Sequence, residues 1–435
     1  MSGSARRISS IAEEAISSMK KEGVRGKINI AATRTDSTML KAGRIREASG
    51  GENILYTVTV LYNGRLGQAR GNRQEDAAAL AKRAKELALS GKPAHFEDWP
   101  VPGDYDEVQL FSEKTARLSR ETINEKLRSA TDKLLSYNAD LYLEGKGELI
   151  EETEITAATS GMFNRTDRSR WLLLLLSQLT RGDDILHCYS GRSWNDVTEY
   201  FDSGDMADEI IEDITRAEKT AGIASGTYPV IFDCTISGML FRVIGEGING
   251  RNVFDHRSPL CGKIDTPVLA DSITLSDRPH IDFCPASAVY DSDGVPTRDR
   301  TIIENGNLRR FLYNLDTAGR TNSGPTGNDR CNPYFLQLER GKASFVSMME
   351  NIKTGVYIKN LIGFGQSNII NGDYSANIGL GYKIEDGELT GRIKNAMISG
   401  NFYDQFAEHV TVSSETDPAG LNPHVMIESA DISSQ

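Results

Sequence analysis

The stretch TGVYIKNLIGFGQSNIINGDYSANIGLGYKIEDGELTGRIKNAMISGNFYDQF occupies residues 354–406. Apolar and polar residues alternate through Val356, Ile358 and Leu361, and the alternation resumes through Ile378, Leu380, Tyr382 and Ile384. A period of two predicts strands with one buried face. Glu385-Asp386-Gly387-Glu388 is a turn signal, so a hairpin is expected over residues 378–389. Gly363, Gly365, Gly372, Gly379 and Gly381 are too many for plain strands. Glycine within a strand marks a bulge, a sharp bend or a close backbone approach. The reading is a bent, antiparallel, glycine-rich sheet that closes on itself like a barrel.

Upstream of this stretch the pattern is different. Ile8, Ile11, Ala12, Ile16 and Met19 fall at helical spacing and Gly23 stops the run. Residues 27–33 alternate as a strand. Asn63-Gly64, between residues 54–61 and 65–69, is a hairpin turn. Further helices are predicted over residues 75–89, 120–137 and 206–224, with strands over 140–156, 171–179 and 185–190 between the last two. Gly226-Thr227 punctuates the chain before the apolar strand 228–232, and a helix is expected over 237–247. The fold class is therefore α+β, with N-terminal helices on an antiparallel sheet and a barrel-like second part. Two domains are expected, 1–225 and 226–435, consistent with a length of 435 residues.

Composition narrows the function. With 49 basic against 61 acidic residues the net charge is −12. Nucleic-acid binding draws on clustered Lys and Arg, so no nucleic-acid partner is expected. The longest apolar run, residues 171–176, is far too short to span a bilayer, and the N-terminus has no leader-like apolar core. Five widely spaced cysteines without a Cys-x-x-Cys pair read as reduced thiols of a cytoplasmic protein.

Chemical motifs are sparse. Gly245 to Gly250 fits G-x-G-x-x-G, but it follows a helix instead of linking a strand to one, so no dinucleotide cofactor is expected. Asp291-Ser292-Asp293-Gly294 lacks the remaining ligands of a calcium loop and reads as a turn. Of the six histidines, none stands at i, i+4 with another.

The glycine-rich stretch resembles the C-terminal half of the TldD/PmbA family, once labelled modulators of DNA gyrase. The matching residues are Gly363, Gly365, Gly372-Asp373-Tyr374-Ser375, Gly387-Glu388, Gly400-Asn401 and Phe406. Asp293-Gly294, Pro296, Ile303, Gly306 and Leu308 resemble the family's DGxP…IxxGxL segment. The resemblance implies two-subunit zinc peptidases that cut unfolded peptides. The catalytic branch carries His-Glu-x-x-x-His on the helix after the first strand of this half, where two imidazoles hold zinc and the glutamate activates water. Here the corresponding stretch is SGMLFRVIGEGING, residues 237–250. It puts Phe241 and Glu246 in the histidine places and Arg242 in the glutamate place. The Cys-Gly-Lys expected near the C-terminus is also missing from residues 413–429.

The resemblance therefore implies the PmbA/TldE-like branch: a subunit with no catalytic residues and no metal of its own. Zinc is expected only in a TldD-like partner subunit. The present chain would contribute to a chamber that holds unfolded peptide, with Asn249, Arg251 and Asn252 facing it. The alternative is a homodimeric peptide-binding or scaffold protein without peptidase activity. Either way a dimer is expected. A net negative chamber would favour basic or neutral peptides.

Overall fold

The computed structural model describes residues 2–72, 77–197, 201–366, 368–419 and 421–434. The first part is built on six long antiparallel strands: β1 (Arg25–Lys41), β2 (Arg44–Tyr62), β3 (Arg65–Gly71), β4 (Tyr142–Ala158), β5 (Phe163–Arg181) and β6 (Asp184–Trp194). They lie in the order β3-β2-β1-β4-β5-β6. Period-2 alternation puts Ile28, Ile30, Leu143, Ile155, Leu173 and Leu175 on one face, all buried. Helices α1 (Ser2–Lys21), α2 (Ala77–Ala88), α3 (Glu113–Ala116), α4 (Arg120–Tyr137) and α5 (Ser203–Arg216) belong to this part. Ile8, Met19, Leu80 and Ala84 cover one end of that face. Leu127, Leu134, Met206 and Ile210 cover the other. The opposite face carries Glu152 paired in register with Arg168, and Lys146 with Leu174.

β1 and β2 run well beyond the apolar alternation that predicts them. Residues 34–53 of the hairpin are mostly polar and exposed, so the ladder, with Arg34 opposite Glu52 and Ser37 opposite Ser49, leaves no period-2 signal. The first two residues of the helix expected over 75–89 lie outside the described residues. α5 ends at Arg216, short of the predicted 224. Beyond it the backbone turns to pair with Arg392: Arg392 N donates to Lys219 O and Ala221 N donates to Arg392 O.

The rest of the chain forms two further sheets. Their strands are β7 (Gly226–Phe232), β8 (Leu275–Asp277), β9 (Arg300–Glu304), β10 (Asn307–Leu308), β11 (Leu336–Leu338), β12 (Thr354–Ile362), β13 (Asp373–Glu385), β14 (Glu388–Arg392), β15 (Ala396–Asn401), β16 (Val410–Thr416) and β17 (Pro423–Ser434). β12-β7-β17-β15-β13 pair in sequence, and β13 pairs back onto β12, closing a five-stranded barrel. β14 extends from β13, and β16 from β17. One pairing departs from the expected antiparallel pattern. β7 and β12 run parallel, because they are joined through a long excursion that includes the small sheet β10-β9-β8-β11.

Two glycines show why the stretch reads as it does. Gly387 has φ +81 in the β13–β14 turn, a conformation side chains resist. A Cβ on Gly381 would lie 2.6 Å from Ile378 Cγ2 and 3.1 Å from Tyr357 O, where β13 bends against β12. The barrel encloses Phe232, Ile358, Ile398, Val425 and Ile427, all fully buried.

Candidate functional site

β7 leads directly into the helical segment 234–254, where the sequence resemblance sets the zinc-motif positions. Asp233 caps α6 (Cys234–Leu240), accepting from Thr235 N at 2.9 Å. The backbone then bends at Phe241 (ψ −2) and continues as α7 (Arg242–Gly247) and α8 (Gly250–Phe254). The single helix expected over 237–247 is thus two short ones. The bend coincides with the Phe241 ring turning inward. It packs edge-on against Phe402 and Phe406, with centroids 5.7 Å away in both cases, and is 1% exposed.

Arg242 and Glu246 lie on the outer side of α7 and line a cleft of about 440 Å³. Gly238 and Gly245 continue that wall, and residues 332–336 with Asn422 form the other. Arg242 is exposed and makes no ion pair or hydrogen bond among the described residues. The Glu246 carboxylate accepts from Asn252 Nδ2 at 3.1 Å.

The other three residues singled out in the sequence lie one turn further on. Asn249 is the N-cap of α8, its Oδ1 accepting from Arg251 N and Asn252 N. Its Nδ2 donates to Arg330 O and to Asn332 Oδ1, which ties α8 to the far wall of the cleft. Asn252 is buried; its Nδ2 donates to Glu246 and its Oδ1 accepts from Arg257 Nη2. Arg251 pairs with Asp255 at 2.9 Å. The structure brings Phe241, Arg242 and Glu246 to one cleft and engages Asn249 and Asn252 in holding its frame.

The donor set at the motif positions does not fit zinc. Phenylalanine offers no lone pair, its ring is committed to an aromatic cluster, and an arginine cation beside the site opposes a divalent ion. Among the described residues a single group of metal-type donors gathers nearby: Asp233, Cys234 and His424, with ligand atoms within 4.8 Å of one another. These atoms already have partners. Burial works to raise the Asp233 carboxyl, but the Lys359 ammonium and hydrogen bonds from Thr235 and Tyr357 outweigh it and hold it low. His424 Nδ1 accepts from Cys234 N at 3.1 Å, and burial lowers the pKa of that imidazole. Burial and the adjacent Asp233 charge push the Cys234 thiol well up, away from the thiolate a metal needs.

No motif in the sequence pointed to the second wall. Residues 332–336 follow no periodic element and reach the cleft through tertiary contacts alone. Asp277, fully buried, accepts from Tyr334 N, Phe335 N and Asn328 Nδ2 and fixes their path. Tyr334 also lines two cavities of about 610 and 250 Å³ against the open face of the six-stranded sheet, near Glu154 and Arg168. The Asp291–Gly294 segment is a turn closed by Asp293 N and Val295 N donating to Asp291 Oδ1.

The site is a helix-lined cleft beside a closed five-stranded barrel, in a chain whose first part is a helix-covered antiparallel sheet. Residues 225–434 match the PmbA/TldA metallopeptidase C-terminal domain. Residues 225–434 thus carry a domain of the TldD/PmbA family, and the relatives support that family. It is similar to a protein named metalloprotease from Methanothermobacter thermautotrophicus, at 24% identity over 86% of this chain and 84% of the relative. Metalloprotease PmbA of Escherichia coli O157:H7 is 30% identical over 43% of this chain and 41% of its own length. The crystal structure of TldE from Thermococcus kodakarensis superposes with a TM-score of 0.86 at 20% identity, covering 98% of this chain and all of that one. No helix among the described residues is long and apolar enough to cross a membrane.

Proposed function

We propose that this chain is the PmbA/TldE-like subunit of a two-subunit zinc peptidase acting on unfolded peptides, and that it contributes peptide binding and part of the chamber instead of the metal. The observation that carries this reading is Phe241. Where the catalytic branch has its first zinc ligand, this chain buries a ring between Phe402 and Phe406. A TldD-like subunit would supply zinc, general base and nucleophilic water. The chain would act as two domains divided near Ser225, dimerising through the second, in the cytoplasm.

The test is reconstitution. The purified chain should carry no stoichiometric zinc and leave an unfolded peptide intact. Adding a TldD-like subunit should give a stable complex that cleaves it, and a chelator should abolish cleavage. Stoichiometric zinc or chelator-sensitive cleavage in the unmodified chain alone would sink the proposal.

A further inference from the structure

The cavity of about 250 Å³ on the open face of the six-stranded sheet carries none of the zinc-motif positions. Its floor is set by strand register. Ile150 pairs with Arg170 and Glu152 with Arg168 across β4 and β5, so these side chains rise from one face. The β5–β6 ladder ends with Trp171 opposite Trp194, which carries Asn195 to the place beside Arg170. The roof is the segment 285–288. Two hydrogen bonds tie that roof to the floor: Arg168 Nη1 donates to Ser287 O at 2.6 Å, and Asn195 N donates to Phe283 O at 2.9 Å.

The acidic groups of this cavity are engaged. Glu152 Oε1 accepts from Thr33 Oγ1 at 3.2 Å, and Glu154 lies 3.7 Å from Arg168 Nε. Two donors are not. Asn195 is 1% exposed, and its Nδ2 has no hydrogen-bond partner among the described residues. Its backbone is fixed on both sides, since Asn195 O also accepts from Ser169 Oγ at 3.0 Å. The amide is therefore held rigidly against the cavity with its N–H unmatched, which is costly for a buried donor. Arg170, half-buried beside it, makes no ion pair or side-chain hydrogen bond among the described residues.

Two adjacent donors, one of them a permanent cation, call for an acceptor with negative charge and more than one oxygen. The volume limits what carries it: about 250 Å³ is below the roughly 300–1,000 Å³ of pockets that hold drug-sized ligands. Ile150, Ala286 and Ala288 add an apolar lining that a bare inorganic oxyanion would not use. We infer that this cavity binds a small organic carboxylate, with Arg170 and Asn195 on the carboxylate and the apolar lining against its carbon chain. The site does not depend on the subunit reading proposed above, because neither a metal nor a partner takes part in it.

Isothermal titration calorimetry on the full chain tests this, with butyrate, butyramide and inorganic phosphate as probes at pH 7.5 and constant ionic strength. Butyrate should bind at one site. Butyramide, of the same shape without the charge, should bind about ten- to a hundredfold more weakly, the size of a charge-assisted hydrogen bond. Arg170→Gln should lose butyrate affinity by a similar factor, and Asn195→Asp, isosteric but anionic, should abolish binding. Asn195→Leu separates a ligand group from a structural one. It removes an unmatched donor, so the urea midpoint of the free chain should hold or rise while butyrate binding falls. No saturable butyrate binding, equal binding of butyrate and butyramide, or affinity that survives Arg170→Gln overturns the inference. Phosphate binding as tightly as butyrate overturns the organic ligand, and a lowered midpoint for Asn195→Leu overturns the role given to its amide.

Discussion

Phe241 is the residue on which restoring a zinc site would turn, and its cost can be worked out. Phe241→His replaces a fully buried ring that makes two edge-on aromatic contacts at 5.7 Å. Each such pair contributes about 0.5–1.5 kcal/mol beyond area burial. The imidazole then places a polar N–H against Phe402 and Phe406, where an unsatisfied buried donor costs about 1–3 kcal/mol. The expected destabilisation is about 2–6 kcal/mol, to be read from urea unfolding at pH 7.5. The fuller variant Phe241→His, Arg242→Glu, Glu246→His supplies His, Glu and His at the three zinc-motif positions. Its first imidazole still sits at the inward bend between α6 and α7, so zinc should not rescue it. A metal held with a Kd one hundredth of its concentration would add about 2.7 kcal/mol to stability, an effect easily detected. A Phe241→His protein as stable as the parent, or a triple variant that recovers stability and takes up one zinc per chain, would refute the reasoning.

Asp277 should make stability depend on pH. Burial raises its carboxyl to about 6 despite the hydrogen bonds from Asn328, Phe335 and Tyr334. The native state then keeps a proton that the unfolded chain releases near pH 4, so this group's contribution falls as pH rises from about 4 to 6, by up to about 3 kcal/mol. Asp277→Asn removes that titration, and its stability relative to the parent should improve by about that amount between pH 4 and pH 7; a gap that stays constant would count against it. The Lys359–Asp213 pair joins barrel strand β12 to helix α5, with side chains 18% and 7% exposed. Lys359→Met strands a buried carboxylate and should cost about 3–5 kcal/mol in thermal or chemical unfolding, whereas a loss under 1 kcal/mol would show the pair to be solvent-screened.

Much of this molecule was written locally. Period-2 runs, the Asn63-Gly64 and Asp386-Gly387 turns and the glycines of β13 are short-range signals, because each records a backbone requirement of its own position. They were enough for an α+β chain with a barrel-like second part. Phe241, Arg242 and Glu246 were singled out by residue type and spacing alone. What tertiary structure decided is what those positions face. The parallel β7–β12 pairing closes the barrel across more than a hundred residues of chain, and no local pattern encodes a pairing at that range. Phe241 points inward because Phe402 and Phe406 arrive from beyond β15. Asn249 proved to cap α8 and to hold residues 330 and 332, a role set by a segment about eighty residues away. The second wall of the cleft carries no periodicity because its conformation is dictated by the buried Asp277 carboxylate, not by propensities of its own sequence. Spacing along the chain can name the groups available for chemistry; which of them share a cleft depends on long-range packing.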